Sequence, residues 1–248
     1  MIEKTLSTTH GKLSVAIPTT LQELTFGQLM KLQERPDLND LEAISILSGV
    51  PLHTLKTVRH ITEFGVFANA MLQLSHQLKY LHGKHDIPNY INFRINKRLV
   101  RVKVLNNLSI EPAGAFMAAS DIIADEISEH IKKYGEDTSL DDFVPSLNAQ
   151  CRVLAHYFYG RVTNKRYDEY AAEEFTEEIK KLPVAEALAV SRHFFSCYPN
   201  LCKPKTAFWQ PLYRFWKKKQ ASPSLKGSAM STRSIHWQGA ISPNGPRY

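Results

Sequence analysis

Lys12–Met30 reads KLSVAIPTTLQELTFGQLM: a short alternating run, a proline, a polar turn and the opening of a helix. Leu13, Val15 and Ile17 alternate with Lys12, Ser14 and Ala16, the period of two that suits a half-buried strand. Pro18 ends the run, and Thr25 stands where its hydroxyl can accept a free amide of a helix over 26–34. Arg35-Pro36 closes that helix, because the residue before a proline is pushed out of the α region. The same order of parts returns at Val100–Met117, VRVKVLNNLSIEPAGAFM. The chain therefore reads as two diverged copies of one unit, each led by a strand or hairpin and completed by helices.

Outward from the first copy, Asp40 is placed to cap a helix carrying Leu41, Ile44 and Leu47, with Gly49 and Pro51 as its stop. Ile61, Phe64, Phe67, Met71, Leu74, Leu78 and Leu81 recur at intervals of three and four and predict one long helix with a buried stripe, ended by Gly83. His82–Asn89 is the joint between the copies. Beyond it Ile91, Phe93 and Ile95, the turn Asn96-Lys97, and Val100, Val102 and Val104 make the clearest hairpin signal in the chain. Arg94, Lys97, Arg98, Arg101 and Lys103 fall on its polar face or at its turn. Two readings stand for these five: a solvated strand face, or a contact with an acidic surface.

Pro112 opens the next predicted helix, with Phe116, Ala119, Ile123, Ile127 and Ile131 on its buried side as far as Tyr134-Gly135. Asp141 and Asp142 precede another, with Pro145 in its first turn, Leu147, Cys151, Leu154 and Phe158 inside and Gly160 as its stop. A helix with Tyr167, Ala171, Phe175 and Ile179 follows, its Glu173, Glu174, Glu177 and Glu178 read as a solvated outer face. A last one carries Val184, Leu188, Ser191, Phe195 and Tyr198. ISILSGV at Ile44–Val50 corresponds to RVLAHYFYG at Arg152–Gly160, and Leu55–Leu74 to Phe175–Phe195, as further signs of duplication.

The expected fold class is mainly α with a small β component. Its expected divisions are 1–83 and 84–202 as the two units, 203–220 as an aromatic and basic arm, and 221–248 as an extended or disordered tail. In the arm Phe208, Trp209, Leu212, Tyr213, Phe215 and Trp216 crowd together with Lys217, Lys218 and Lys219. Three roles compete for it: docking on the body or a neighbouring subunit, binding nucleic acid through stacking and phosphate contacts, or lying on a membrane surface.

Charge and motifs narrow the function classes. The chain holds 31 Lys and Arg against 24 Asp and Glu, a net +7 that admits an acidic partner without requiring one. Three cysteines without short paired spacing predict buried thiols in a reducing compartment. MIEKTLSTTHGK lacks the apolar run of a secretory signal, and no stretch is long and apolar enough to span a bilayer. There is no phosphate-binding glycine loop, dinucleotide fingerprint, nucleophile elbow or HExxH. His82 with His85 falls short of the three or four ligands zinc requires, and Cys151 with His156, five apart on one helix, diverges. No cofactor, metal or catalytic residue is expected.

IPTTLQELTFGQLMKLQ from Ile17, INFRINKRLVRVKVLNNLSIEPAGAFMAASDII from Ile91, VLAHYFYGRVTNKRYDEY from Val153 and LPVAEALAVSRHFF from Leu182 resemble small helical proteins of tailed-bacteriophage structural gene clusters. These are tail assembly chaperones and head–tail or tail ring components. The resemblance is one of pattern and stops near Asn200. It implies a non-enzymatic virion protein assembled in the host cytoplasm, forming a ring with its own copies and with portal or tail proteins. Two alternatives accompany it: a chaperone absent from the finished particle, and a DNA-binding protein using the hairpin and the arm.

Overall fold

The computed structural model describes residues 1–35, 37–79, 86–105, 112–135 and 143–201. It is mainly α with a small β component, as the patterning predicts, the β part being two small antiparallel hairpins. The described chain divides into two compact units, the first holding residues up to 79 together with Lys180–Ala185, the second the remainder from Asp86. The arm residues Phe208–Lys219, the tail, Asp141, Asp142, Leu81–His85 and Cys202 lie outside the described residues.

The first unit opens on a strand the alternation did not reveal. β1 (Ile2–Thr8) pairs in antiparallel register with β2 (Gly11–Ile17), from Ile2 opposite Ile17 to Thr8 opposite Gly11. The inward column of β1 is Ile2, Lys4, Leu6 and Thr8, only half of it apolar, so its period of two is invisible to a hydrophobicity count. Those polar members are nonetheless satisfied: Lys4 Nζ donates to the Glu63 carbonyl at 3.0 Å and Thr8 Oγ1 to the Gly11 carbonyl at 2.8 Å. The far edge of β1 is partly covered as well. Thr9 N–H donates to Thr57 O, Arg59 N–H to Ser7 O, and Ser7 N–H to the Glu63 carboxylate. Covered edges do not recruit foreign strands.

α1 (Phe26–Glu34) begins where Thr25 predicts, with a reciprocal cap: Thr25 Oγ1 accepts from Gln28 N–H and Gln28 Oε1 from Thr25 N–H. Its other leading amides are satisfied by the returning segment 180–185, Phe26 N–H donating to Leu182 O and Gly27 N–H to Lys180 O, both at 2.8 Å. Val184 N–H in turn donates to Leu24 O. A Cβ on Gly27 would sit 2.9 Å from Lys180 Cβ and 3.1 Å from its carbonyl oxygen. Alanine normally improves a helix over glycine by about 1 kcal/mol. Here Gly27→Val should instead destabilise the fold by about 1–3 kcal/mol through overpacking, measured by chemical denaturation.

α2 (Asp40–Ser48) is capped by Asn39 rather than Asp40. Asn39 Oδ1 accepts from Glu42 N–H, and Glu42 answers to the Asn39 amide. Gly49 is the left-handed stop expected of it, at φ 71°. After the short α3 (Leu52–Leu55) comes a correction. The predicted long helix is a 3-10 turn over Ile61–Phe64 followed by α4 (Gly65–Lys79). Phe67, Ala70, Leu74 and Leu78 are its buried stripe, whereas Ile61, off the helix proper, is 77% exposed. The core of this unit gathers Leu6, Val15, Ile17, Leu24, Phe26, Leu29, Ile44, Leu55, Phe67, Leu182 and Val184.

The second unit also opens on a hairpin, β3 (Tyr90–Ile95) and β4 (Arg98–Lys103), then continues into a helix, α5 (Ala113–Tyr134). Ile123 and Ile127 are buried as predicted, joined by Ala115, Ile122 and Ala124; Phe116, Ala119 and Ile131 are only partly covered. α6 (Leu147–Thr163) is buried on nearly every side. Ser146 caps it, with Pro145 outside the helix, and Glu126 of α5 accepts from both Ser146 N–H and Oγ–H. Gly160 is interior, not the stop; Asn164 at φ 54° ends the helix. The match of Gly49 to Gly160 therefore fails. The helix predicted around Tyr167 to Ile179 is two short ones, α7 (Glu169–Glu174) and α8 (Thr176–Ile179), with Tyr167 ahead of both. α9 (Val184–Leu201) runs past Tyr198 and Pro199, and a buried bond from Ser191 Oγ to Gln150 Oε1 at 2.6 Å ties it to α6.

Candidate interaction surfaces

The β3–β4 turn is the Asn96-Lys97 pair, both residues at positive φ (48° and 65°), the two-residue geometry whose twist matches the strands. Register follows from it: Ile91 faces Val102 and Phe93 faces Val100 on the inner side, Tyr90 faces Lys103, Asn92 faces Arg101 and Arg94 faces Leu99 on the outer. Inner anchoring is aromatic, the Phe93 ring centroid lying 5.1 Å from Phe158 and 5.8 Å from Phe175.

The outer side holds Arg94, Arg101 and Lys103 together, and Lys97 sits at the turn. Arg98 belongs by register to the inner column, at the turn end, and is still exposed. All five predicted cations are exposed, none forms an ion pair among the described residues, and the hairpin contains no acid. Arg101 lies over the Tyr90 ring with Cζ 4.2 Å from the centroid. The second predicted site, Phe208, Trp209, Leu212, Tyr213, Phe215, Trp216, Lys217, Lys218 and Lys219, is outside the described residues.

Two features escaped the sequence reading. The first is a polar network inside the second unit. Arg152 and His156, one turn apart on α6, both reach Glu173 of α7: Arg152 Nη2 donates at 2.7 Å and Nε at 3.0 Å, while His156 Nε2 lies 3.1 Å from Oε1. Because the carboxylate only accepts, His156 donates from Nε2, and its Nδ1 lies 2.8 Å from the Tyr167 hydroxyl oxygen. His156 is 2% exposed. Glu173 is therefore not part of a solvated acidic face. Its pKa is held below the ordinary carboxylate value chiefly by the Arg152 hydrogen bonds, and the Arg152 pKa is raised by the same bonds. A signal existed: Arg152 and His156 at i and i+4 interrupt an otherwise buried helix.

Burial, helped by Glu169, Glu173 and Asp168, pushes the Tyr167 phenol up to about 12 from 10.0. The unfolded chain thus loses this proton first. The stability it contributes is complete below pH 10 and is lost as pH rises toward 12. Tyr167→Phe should flatten the alkaline limb of the stability profile between those values, read as unfolding midpoint against pH. The Tyr167 ring also closes on Gly114, where a Cβ would meet ring carbons at 2.8 Å.

Cys151 is buried and directs Sγ to Thr176 O at 3.7 Å, while His156 is committed to Tyr167 and Glu173. The two do not form a nucleophile and base. Among the described residues no three His, Cys, Asp or Glu are grouped to hold a metal, and no helix is long and apolar enough to cross a membrane.

The chain matches no known family model, no curated protein and no solved structure.

The second missed feature is the outer side of α4. From Gly65 to Leu78 there is no Asp, Glu, Lys or Arg. At 100° per residue the exposed residues Gly65, Val66, Ala68, Asn69, Leu72, Gln73 and His76 share one arc, opposite Phe67, Ala70, Leu74 and Leu78. Leu72, within that arc, is 59% exposed. A solvated helix face ordinarily carries charge.

Proposed function

We propose that this protein is a non-enzymatic structural subunit of a tailed-bacteriophage virion, a ring component of the tail or head–tail connector region that packs against copies of itself and against portal or other tail proteins. The observation that carries the reading is the outer side of α4 from Gly65 to Leu78, which holds no charged residue. Interface cores are depleted in charged residues and tolerate small and apolar ones. Copies of a chain with net +7 repel one another, so a contact between them belongs where the surface is neutral, and α4 supplies that surface. Support also comes from the pattern resemblance quoted above, and from the way Arg152, His156, Tyr167 and Glu173 satisfy one another.

Leu72→Glu tests this. The residue is exposed, so folding should be retained to within about 0.5 kcal/mol. Sedimentation velocity of the wild-type chain should show concentration-dependent association that Leu72→Glu abolishes, with unchanged circular dichroism. A wild-type chain that stays monomeric at high concentration, or a variant that associates as well as the wild type, would argue against α4 as the contact.

A further inference from the structure

We infer that the outer face of the β3–β4 hairpin binds duplex nucleic acid along its phosphate backbone. The face is six residues, Tyr90, Asn92 and Arg94 against Leu99, Arg101 and Lys103, and Lys97 and Arg98 extend its positive charge to the tip. Five cations on fourteen residues without a compensating acid repel one another, and an anion laid across them relieves that repulsion. Nucleic acid fits better than an acidic protein. Lysine and other charged groups are depleted from protein–protein interface cores, whereas nucleic-acid interfaces are polar and strongly positive; five of these six side chains can hydrogen-bond and only Leu99 is apolar.

Duplex fits better than single strand. Binding of unpaired bases relies on open aromatic faces, and the one aromatic ring here, Tyr90, is already stacked by Arg101. A two-stranded antiparallel ribbon has the dimensions of the major groove. Two residues of strand, the step from Arg101 to Lys103, advance about 6.8 Å, which equals two axial charge steps of about 3.4 Å on one strand of the duplex. This surface shares no residue with α4, so failure of either proposal leaves the other standing.

The experiment is fluorescence anisotropy of the full chain with a labelled duplex of about 20 base pairs, titrated across salt. Each neutralised phosphate contributes about −0.9 to the slope of log K against log salt, so five cations give about −4.5, a roughly 500-fold loss of affinity between 50 and 200 mM salt. The triple variant Arg94→Ala, Arg101→Ala, Lys103→Ala should fall to a slope of about −1.8 and lose about 12-fold over the same range. All three positions are exposed, and circular dichroism confirms retained folding. A triple variant with the wild-type slope would overturn the proposal and move the contact elsewhere, Lys217, Lys218 and Lys219 being the next cations to replace. Absence of duplex binding at 50 mM salt, tighter binding to the single strand, or binding only to a polyglutamate probe would overturn it as well.

Discussion

Phe93→Ala should destabilise the second unit by about 3–5 kcal/mol, the range for emptying an aromatic site in a close-packed core. The ring is buried among Phe158, Phe175 and the facing Val100, and the void can close only if β3 shifts toward Phe158 of α6 and Phe175 at the end of α7. For a chain of this size each kcal/mol shifts the unfolding midpoint by about 2–4 °C, so a drop of roughly 6–20 °C is expected in thermal denaturation. Leu99→Ala is the control. It stands on the opposite face of the same hairpin, 69% exposed, and should change stability by less than about 0.5 kcal/mol. Because a one-residue slip exchanges the two faces, equal costs at Phe93 and Leu99 would contradict the register itself.

The second large effect belongs to His156. Replacing it by alanine removes a side chain that is almost wholly enclosed and takes away the partner of the Tyr167 hydroxyl, while Glu173 Oε1 loses one donor and keeps its bonds from Arg152. Cavity and unmade hydrogen bonds together should cost about 2–4 kcal/mol by urea denaturation. The Arg152–Glu173 pair itself is partly open to solvent, so Arg152→Ala should cost less. A double-mutant cycle between His156 and Glu173 separates contact from cavity: a coupling of about 0.5–3 kcal/mol is expected for residues in one network, and additive losses would show that the hydrogen bond contributes nothing.

The hairpin at β3–β4, the cap at Thr25 and the stop at Gly49 were all legible in the chain. Each is a local code, a period of two, a hydroxyl at a helix start, a glycine at positive φ, that tertiary structure had no reason to override. What was not legible had no such code, or depended on partners elsewhere in the chain. β1 hides because its buried column includes Lys4 and Thr8, satisfied by Glu63 and Gly11. Ile61 belongs to the apolar stripe by spacing alone, since a 3-10 turn breaks its phase with Phe67. Gly160 resembles a stop, yet Asn164 supplies the left-handed residue four positions later. Glu173 looked solvated because its partners, Arg152 and His156, lie about twenty residues upstream on another helix.

The candidate surfaces divide in the same way. The cations of the hairpin could be assigned a face from alternation, apart from Arg98, whose register places it inward at the turn. The α4 surface could not, because reading that helix for its apolar stripe counts what is present and passes over what is missing. The absence of charge becomes informative only once Leu72 and Ala68 are known to be exposed. Both surfaces fit a protein that works by contact. Within the second unit, Arg152, Glu173, His156 and Tyr167 close on one another and Gln150 holds Ser191, which ties together the helices of the unit that carries the hairpin.

The most direct measurement is quantitative mass spectrometry of purified particles of the tailed phage that the proposed function requires as the source of this chain. The virion-subunit reading predicts the protein in every preparation, at a fixed small number of copies per particle, reduced or lost in particles assembled with Leu72→Glu. Its absence from particles that are otherwise complete would contradict that reading and leave the transient assembly chaperone in its place.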